Sequence, residues 1–369
     1  MHRPALVAIA LGSVLALAPA PGRAEQLGKI GGALKRANQL RDIQMNDAEE
    51  AQLGAEVSQR IRARYGVVQN QAVHRYVTLV GTALAQVSSR PGIAWKFIVL
   101  DTDAVNAFAA PGGFVHITKG ALANLKTESE LAGVLGHEII HVSEKHTIRA
   151  IQKGKAVQMG ADETVAGNSA LLGKLADKAY EIVDSGFGRG DELESDEKGI
   201  VLANTVGYAP TGMNGFLNML MERNKATDGA RSGLFASHPE TKERVDRMTK
   251  QIASAKLGST ATVAERYTAT ITYKPVPVTE VATVEAGSSG AAGGTAKPAE
   301  APKKKGIGGL AASLRPGGGE KKSAQVTGSG AARGAGKESA AKGGSNPALV
   351  AVSVSTADVA AFKKAGGLK

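Results

Sequence analysis

The chain has no cysteine in its 369 residues. That absence excludes a disulfide framework, and it excludes a lipid-modified cysteine at an export cleavage site. Long apolar runs are almost as scarce. The one that stands out, from Ala5 to about Ala18 in MHRPALVAIALGSVLALAPAPGRAEQ, falls short of the ~20 residues a membrane-spanning helix needs. It follows a short basic start and precedes the small-x-small sequence Gly22-Arg23-Ala24. This is the layout of a secretory signal peptide cut before Glu25. Export without a lipid anchor predicts a soluble mature chain in the periplasm.

The formal net charge of +11 invites a nucleic-acid reading, but its distribution excludes one. From Thr279 onward 13 Lys/Arg stand against 6 Asp/Glu, whereas residues 25–278 are nearly balanced. The surplus sits in Gly/Ala/Ser/Lys/Pro-rich stretches such as AGSSGAAGGTAKPAEAPKKKGIGGL, too poor in apolar side chains to offset ordering entropy. Residues 279–345 are therefore expected to be a disordered linker. Residues 346–369 regain apolar side chains and form a short C-terminal segment with no role legible in the sequence.

Between leader and tail, residues 25–278 read as one domain. Helices are expected from Asp47, where Asp47 and Glu50 resemble a capping box, and across QAVHRYVTLVGTALAQVSS, where Val73, Val77, Val80, Leu84 and Val87 share a face. AWKFIVL (94–100) reads as a strand, and AFAAPGGFVHIT as a second, entered through Pro111-Gly112-Gly113. Thr127 and Glu130 form a capping box for a helix over LAGVLGHEIIHVSEKH. Further helices are expected over 171–183 and 192–204 and beyond Thr211. Ser237-His238-Pro239-Glu240 has the form of a helix start. The fold class is α+β, mainly helical with a small sheet.

Two histidines four apart with a glutamate after the first carry the chemistry. On a helix His137 and His141 lie one turn apart on one face, a ready pair of imidazole ligands for zinc. Glu138 lies about 100° round the helix, flanking the metal as a general base on an attacking water. Leu131, Val134, Leu135, Ile139 and Ile140 make the helix apolar nearly all round and hence buried, and buried polar groups need partners. A catalytic zinc takes a third protein ligand. Spacing leaves two carboxylates open: Glu163 in ADETVAG, and Glu192, which shares a helix face with Asp196. In the second arrangement one carboxylate binds metal while the other holds a ligating histidine.

Four segments in this order, VNAFAAPGGFVHITKGAL, ELAGVLGHEIIHVSEKH, GFGRGDELESD and SHPETKERV, resemble the zinc metallopeptidase family of HtpX and the CAAX prenyl endopeptidase, in its soluble periplasmic BepA-like branch. The resemblance covers roughly Asp47 to Arg247. It implies a zincin-type domain, one zinc per chain, and Glu192 as third ligand with Asp196 behind it. Ser195 stands where the family usually has alanine. By the same resemblance Arg189 supports the ligand set, and His238 lies near the metal as an oxyanion donor or fourth ligand. Asn106, Ala107, Phe108, Ala109, Pro111, Gly112 and Gly113 border the substrate cleft, where an edge strand pairs with an extended chain. The ordinary readings are a packed hairpin turn for that segment and a helix-start residue for His238. Arg244 is expected to pair with an acidic residue of the site. His146 falls off the 137/141 face and reads as structural; His74 and His116 read as ordinary polar positions. The implied function is zinc-dependent endoproteolysis of misfolded envelope proteins. A chaperone-like binder with a structural zinc, and an anionic-surface contact through Lys303-Lys304-Lys305 and its neighbours, are the rival readings.

Overall fold

The computed structural model describes residues 45–153, 169–225, 238, 241–277, 280–284, 326–329 and 346–369. The signal-peptide reading, Glu163 and the Lys303–Lys305 run lie outside them.

Helix α1 (Asp47–Tyr65) begins where the sequence suggests, but its capping box lies one residue earlier than the expected Asp47–Glu50 pair. Asn46 is its N-cap, in a reciprocal capping box with Glu49, because Asn46 already offers the short side-chain oxygen that a cap requires. Its apolar face, Leu53, Val57 and Ile61, is buried. Helix α2 (Gln71–Ala85) buries Val73, Val77, Val80 and Leu84, while Val87 lies beyond the helix end, exposed. Strand β1 (Lys96–Leu100) pairs parallel with β3 (Phe114–Thr118), which pairs antiparallel with β2 (Ala107–Ala110). The sheet order is β1-β3-β2. What reads in sequence as one strand is thus a hairpin, broken by the single turn Pro111–Gly113. Gly112 and Gly113 have φ of 70° and 98°, which a β-carbon would strain. Gly112 also lies so close to α1 that a β-carbon there would meet the Ala51 Cα at 2.5 Å.

Helix α3 (Lys119–Asn124) leads to α4 (Glu128–Ser143), the helix with the histidine pair, capped by Thr127. Only half of the expected box forms, since the Glu130 carboxylate accepts from Lys126 N–H. Every residue of α4 except Glu130 is buried. Removing each of Leu131, Val134, Leu135 and Ile139 from water contributes about 1.5–3 kcal/mol. Glu128 lies at the positive end of the α4 dipole and accepts from the hydroxyls of Tyr76 at 2.7 Å and Tyr208 at 2.6 Å and from Arg266 Nε at 2.8 Å. At the other end Arg90 donates to Val142 O at 3.2 Å. Helices α5 (His146–Lys153), α6 (Ser169–Ser185), α7 (Arg189–Val206), α8 (Gly212–Lys225), α9 (Thr241–Ser254) and α10 (Ala264–Thr270) complete the shell. Among the described residues no helix is long and apolar enough to cross a membrane.

Within the stretch read as a linker, β4 (Val281–Val284) and β5 (Val326–Ser329) pair antiparallel; their Val and Thr residues are good strand formers. The C-terminal segment is docked along α1 and α2. Val67 N–H donates to Asn346 O, Gln71 to Ala351 O, and Arg75 to Ser353 O and Asp358. Its helix α11 (Thr356–Ala365) places Phe362 under the Arg266 guanidinium, 3.8 Å from ring centre to Cζ, and against Tyr76. Lys369 N–H ends the chain on Val206 O.

Candidate metal centre

Helix α4 projects His137 and His141 toward α7, and two glycines set the distance. A β-carbon on Gly136 would meet Gly199 O at 3.0 Å, and one on Gly199 would meet His137 N at 2.9 Å. With no side chains between them the helices approach closely enough for short carboxylates on α7 to reach the histidine rings. Asp196 Oδ1 lies 2.9 Å from His137 Nδ1. Glu192, one turn earlier, has oxygens 3.5 Å from His137 Nε2 and 3.5 Å from His141 Nε2. The two Nε2 atoms are 3.0 Å apart.

His238 completes the cluster. Its Nδ1 lies 3.3 Å from His137 Nε2 and 2.7 and 2.8 Å from the Glu192 oxygens. Ligand atoms disposed tetrahedrally at zinc–ligand distances stand roughly 3.3 Å from one another. His137, His141, Glu192 and His238 thus present four donors at separations that suit one metal ion, all buried. The fit has a second indication. Glu138 is buried beside the cluster, its Oε2 has no hydrogen-bond partner, and its Oε1 is 3.9 Å from His238 Nε2. A buried, unpartnered carboxylate oxygen is costly unless a ligand or water engages it.

The surroundings shift these groups in opposite directions. Burial opposes a charge on His137, but its hydrogen bond to Asp196 and the proximity of Glu192 outweigh it and hold its pKa at about 9. Burial and the charge of His137 keep His141 well below the ordinary histidine range despite Glu192. Burial raises Glu138. Glu192 and Asp196 are also penalised by burial, yet they lie below the ordinary carboxylate range, Glu192 because of the histidines around it and Asp196 because of Arg244. Arg244 donates from Nε and Nη2 to both Asp196 oxygens at 2.7 Å and from Nη1 to His238 O at 3.2 Å. It is the acid-pairing residue expected from the sequence.

Two other expectations change. Arg189, expected to support the ligands, pairs with Glu243 on α9 and is half exposed, because it is the first residue of α7, two turns before Asp196 and at an end of the helix that is open to solvent. His146, read as structural, meets His141: Nδ1 to Nδ1 is 2.8 Å. The sequence treated residues 131–146 as one helix, but α4 ends at Ser143 and Lys145 takes φ of 54°. The reversal starts a new helix and swings His146 back to the pair. Phe187, not singled out in sequence, stacks on the His141 ring with centroids 4.1 Å apart. His74 and His116 stay inside the packing, bonded to Val68 O and Ser58 Oγ at 2.9 Å each. Asn106 through Gly113 are buried throughout; Phe108 stacks on Tyr65, and Gly112 N–H donates to Glu50 at 3.0 Å.

Two helical histidines, a carboxylate from a neighbouring helix and a buried glutamate beside them have the composition of a metallopeptidase site. The chain belongs to peptidase family M48, which residues 69–252 match. It is 26% identical over 238 residues to the beta-barrel assembly-enhancing protease of Yersinia pestis, covering 60% of this chain and 48% of that one. It is 29% identical over 171 residues to metalloprotease YcaL of Escherichia coli (strain K12), covering 45% and 65%. Over 218 residues it is 27% identical to the mitochondrial metalloendopeptidase OMA1 of Schizosaccharomyces pombe, covering 56% and 62%. The match spans about half the length of the Yersinia relative.

Proposed function

We propose that this chain is an exported, zinc-dependent endopeptidase acting on misfolded proteins of the bacterial envelope, with His137, His141 and Glu192 as its metal ligands. The observation that carries the reading is the buried four-donor cluster with the unpartnered Glu138 oxygen beside it. Zinc, when bound, supplies a Lewis acid that polarises a carbonyl and acidifies water. Asp196 fixes the His137 ring so that Nε2 faces the centre, and Arg244 fixes Asp196. Glu138 takes the proton of the attacking water and passes it to the leaving amine, a role to which its raised pKa is suited.

His238 would hold the metal as a further ligand through the Nδ1 that faces Glu192 and His137. Withdrawn by a small displacement, it stands where it can donate to the negative charge developing on the carbonyl oxygen. Asn106 to Gly113 line the approach, with Ala107–Ala110 as the strand on which an extended polypeptide adds by main-chain hydrogen bonds. Helix α6 packs against that strand, so strand addition goes with a movement of α6. Envelope substrates are suggested by the name of the Yersinia relative, and a periplasmic site by the leader sequence.

Metal content and casein cleavage compared across wild type, Glu138→Gln and Glu192→Ala test the assignment. The first substitution is expected to keep the metal and abolish cleavage; the second loses both. Metal release by Glu163→Ala but not by Glu192→Ala would overturn the ligand set. A Glu138→Gln protein that retained its full cellular role would favour the chaperone-like alternative.

A further inference from the structure

The proposed chemistry leaves His146 without a task, yet it is fully buried against the centre. Its Nδ1 is 2.8 Å from His141 Nδ1, and its Nε2 is 3.2 Å from Glu194 Oε2 and 3.8 Å from Asp191 Oδ1. Hydrogen accounting across these contacts has one consistent solution. His141 turns Nε2 to the metal centre, so a neutral, ligating His141 carries its hydrogen on Nδ1. That N–H must be the donor to His146 Nδ1, since two ring nitrogens 2.8 Å apart share one hydrogen. His146 then carries its own hydrogen on Nε2 and donates it to Glu194. The carboxylate end is anchored, with Lys198 Nζ at 2.8 Å from Glu194 and Arg149 Nη2 at 2.9 Å from Asp191.

We infer that His146 is the positioning residue for His141. It is the middle member of a chain running from the metal centre through His141 and His146 to Glu194, and it does through two steps what Asp196 does for His137 in one. The inference rests on the metal-ligand assignment above. It explains why the helix breaks at Lys145, since only the reversal brings a second ring to the far side of His141. Phe187 closes the remaining face of the His141 ring, so the ring has a fixed plane and a fixed tautomer. Histidine ligands generally need such a partner to hold their orientation, and losing it typically weakens metal binding 10–100-fold.

The residues His146, Asp191 and Glu194 also have the composition of a cation site in their own right. Arg149 and Lys198 argue against that use, because they already supply the positive charge there and an ion would have to displace them.

Zinc affinity of the full chain, measured by competition with a chromophoric chelator, tests the inference through His146→Ala, His146→Gln and Glu192→Ala. His146→Ala is expected to bind zinc about 10–100-fold more weakly. His146→Gln should recover most of the loss, because its amide accepts from His141 and donates to Glu194. In zinc-loaded wild type, 15N spectra of the histidine rings should place hydrogen on Nδ1 of His141 and on Nε2 of His146. An unchanged affinity in His146→Ala, hydrogen on Nδ1 of His146, or a second zinc equivalent lost with His146 would overturn the inference. If His146→Ala does not fold, the ring spectra of wild type decide alone. A Glu192→Ala protein that still held zinc would instead strike the ligand assignment, which keeps the two failures apart.

Discussion

Arg244 Nε and Nη2 each lie 2.7 Å from an oxygen of Asp196, so a buried arginine on α9 and a buried aspartate on α7 form a two-pronged pair behind His137. The pair is the last link in a line from α9 to the metal centre, and both members are almost wholly removed from water. Breaking such a pair from one side leaves an uncompensated charge. Arg244→Met is expected to destabilise the fold by about 3–5 kcal/mol, read by urea denaturation, and to lower metal retention. Near-native stability would mean that Asp196 finds another partner.

The contact of Gly199 with the His137 backbone leads to a more local effect. Alanine at 199 places a methyl group 2.9 Å from His137 N, and α7 must move outward by a few tenths of an ångström. Overpacking of this kind costs about 1–3 kcal/mol. The same shift draws Glu192 and Asp196 from the histidines, so Gly199→Ala should lose metal in chelator competition while remaining folded by circular dichroism. Unaltered metal affinity would show that the helices have more slack than their packing suggests.

Acid sensitivity should trace in part to Glu50. Burial penalises its charge, but Arg90, the Gly112 N–H and Lys145 outweigh it and hold the pKa below the ordinary value. A depressed carboxylate contributes stability that is present above the unfolded-state value, about pH 4.3, and is lost as pH falls through the folded-state value. Glu50→Gln should therefore be less stable than wild type at neutral pH, and the gap should narrow as the pH drops below about 4. A gap constant between pH 3 and 7 would contradict the assignment.

Phe362 under Arg266 predicts that the C-terminal segment contributes to the peptidase fold. Phe362→Ala removes a cation–π contact and a ring packed on Tyr76, a loss of about 1–2 kcal/mol. Ending the chain at residue 345 should cost more, because Arg75 and the Val67 N–H lose partners too. Equal midpoints of thermal unfolding for the full and shortened chains would refute this.

What the sequence made legible followed from local signals. His137 and His141 came from a four-residue spacing that a helix turns into a shared face, α2 came from apolar periodicity, and α4 came from its cap. Spacing alone could not choose between Glu163 and Glu192, because the choice depends on which helix crosses α4. That crossing is set by Gly136 and Gly199, whose lack of side chains is invisible as a signal until the partner is known. His146 escaped for a related reason: an uninterrupted helix was assumed through Glu144 and Lys145, and no proline or glycine marks the break. The hairpin at Pro111–Gly113 was half legible. Its turn residues were plain, but the apolar run on both sides conceals the change of direction. The docking of residues 346–369 had no local signature, since its partners lie between 96 and 285 positions away.

The anchoring of both Lys369 and Asn346 onto the peptidase unit has a topological consequence. The chain up to Ile271 packs in the core of the domain and residues 346–369 return to it, so the span between them is closed into a loop by non-covalent contacts. A single nick in that span would therefore release nothing, and the cleaved enzyme would persist as a two-piece assembly under native conditions. Only denaturation, as on a detergent gel, would separate the pieces.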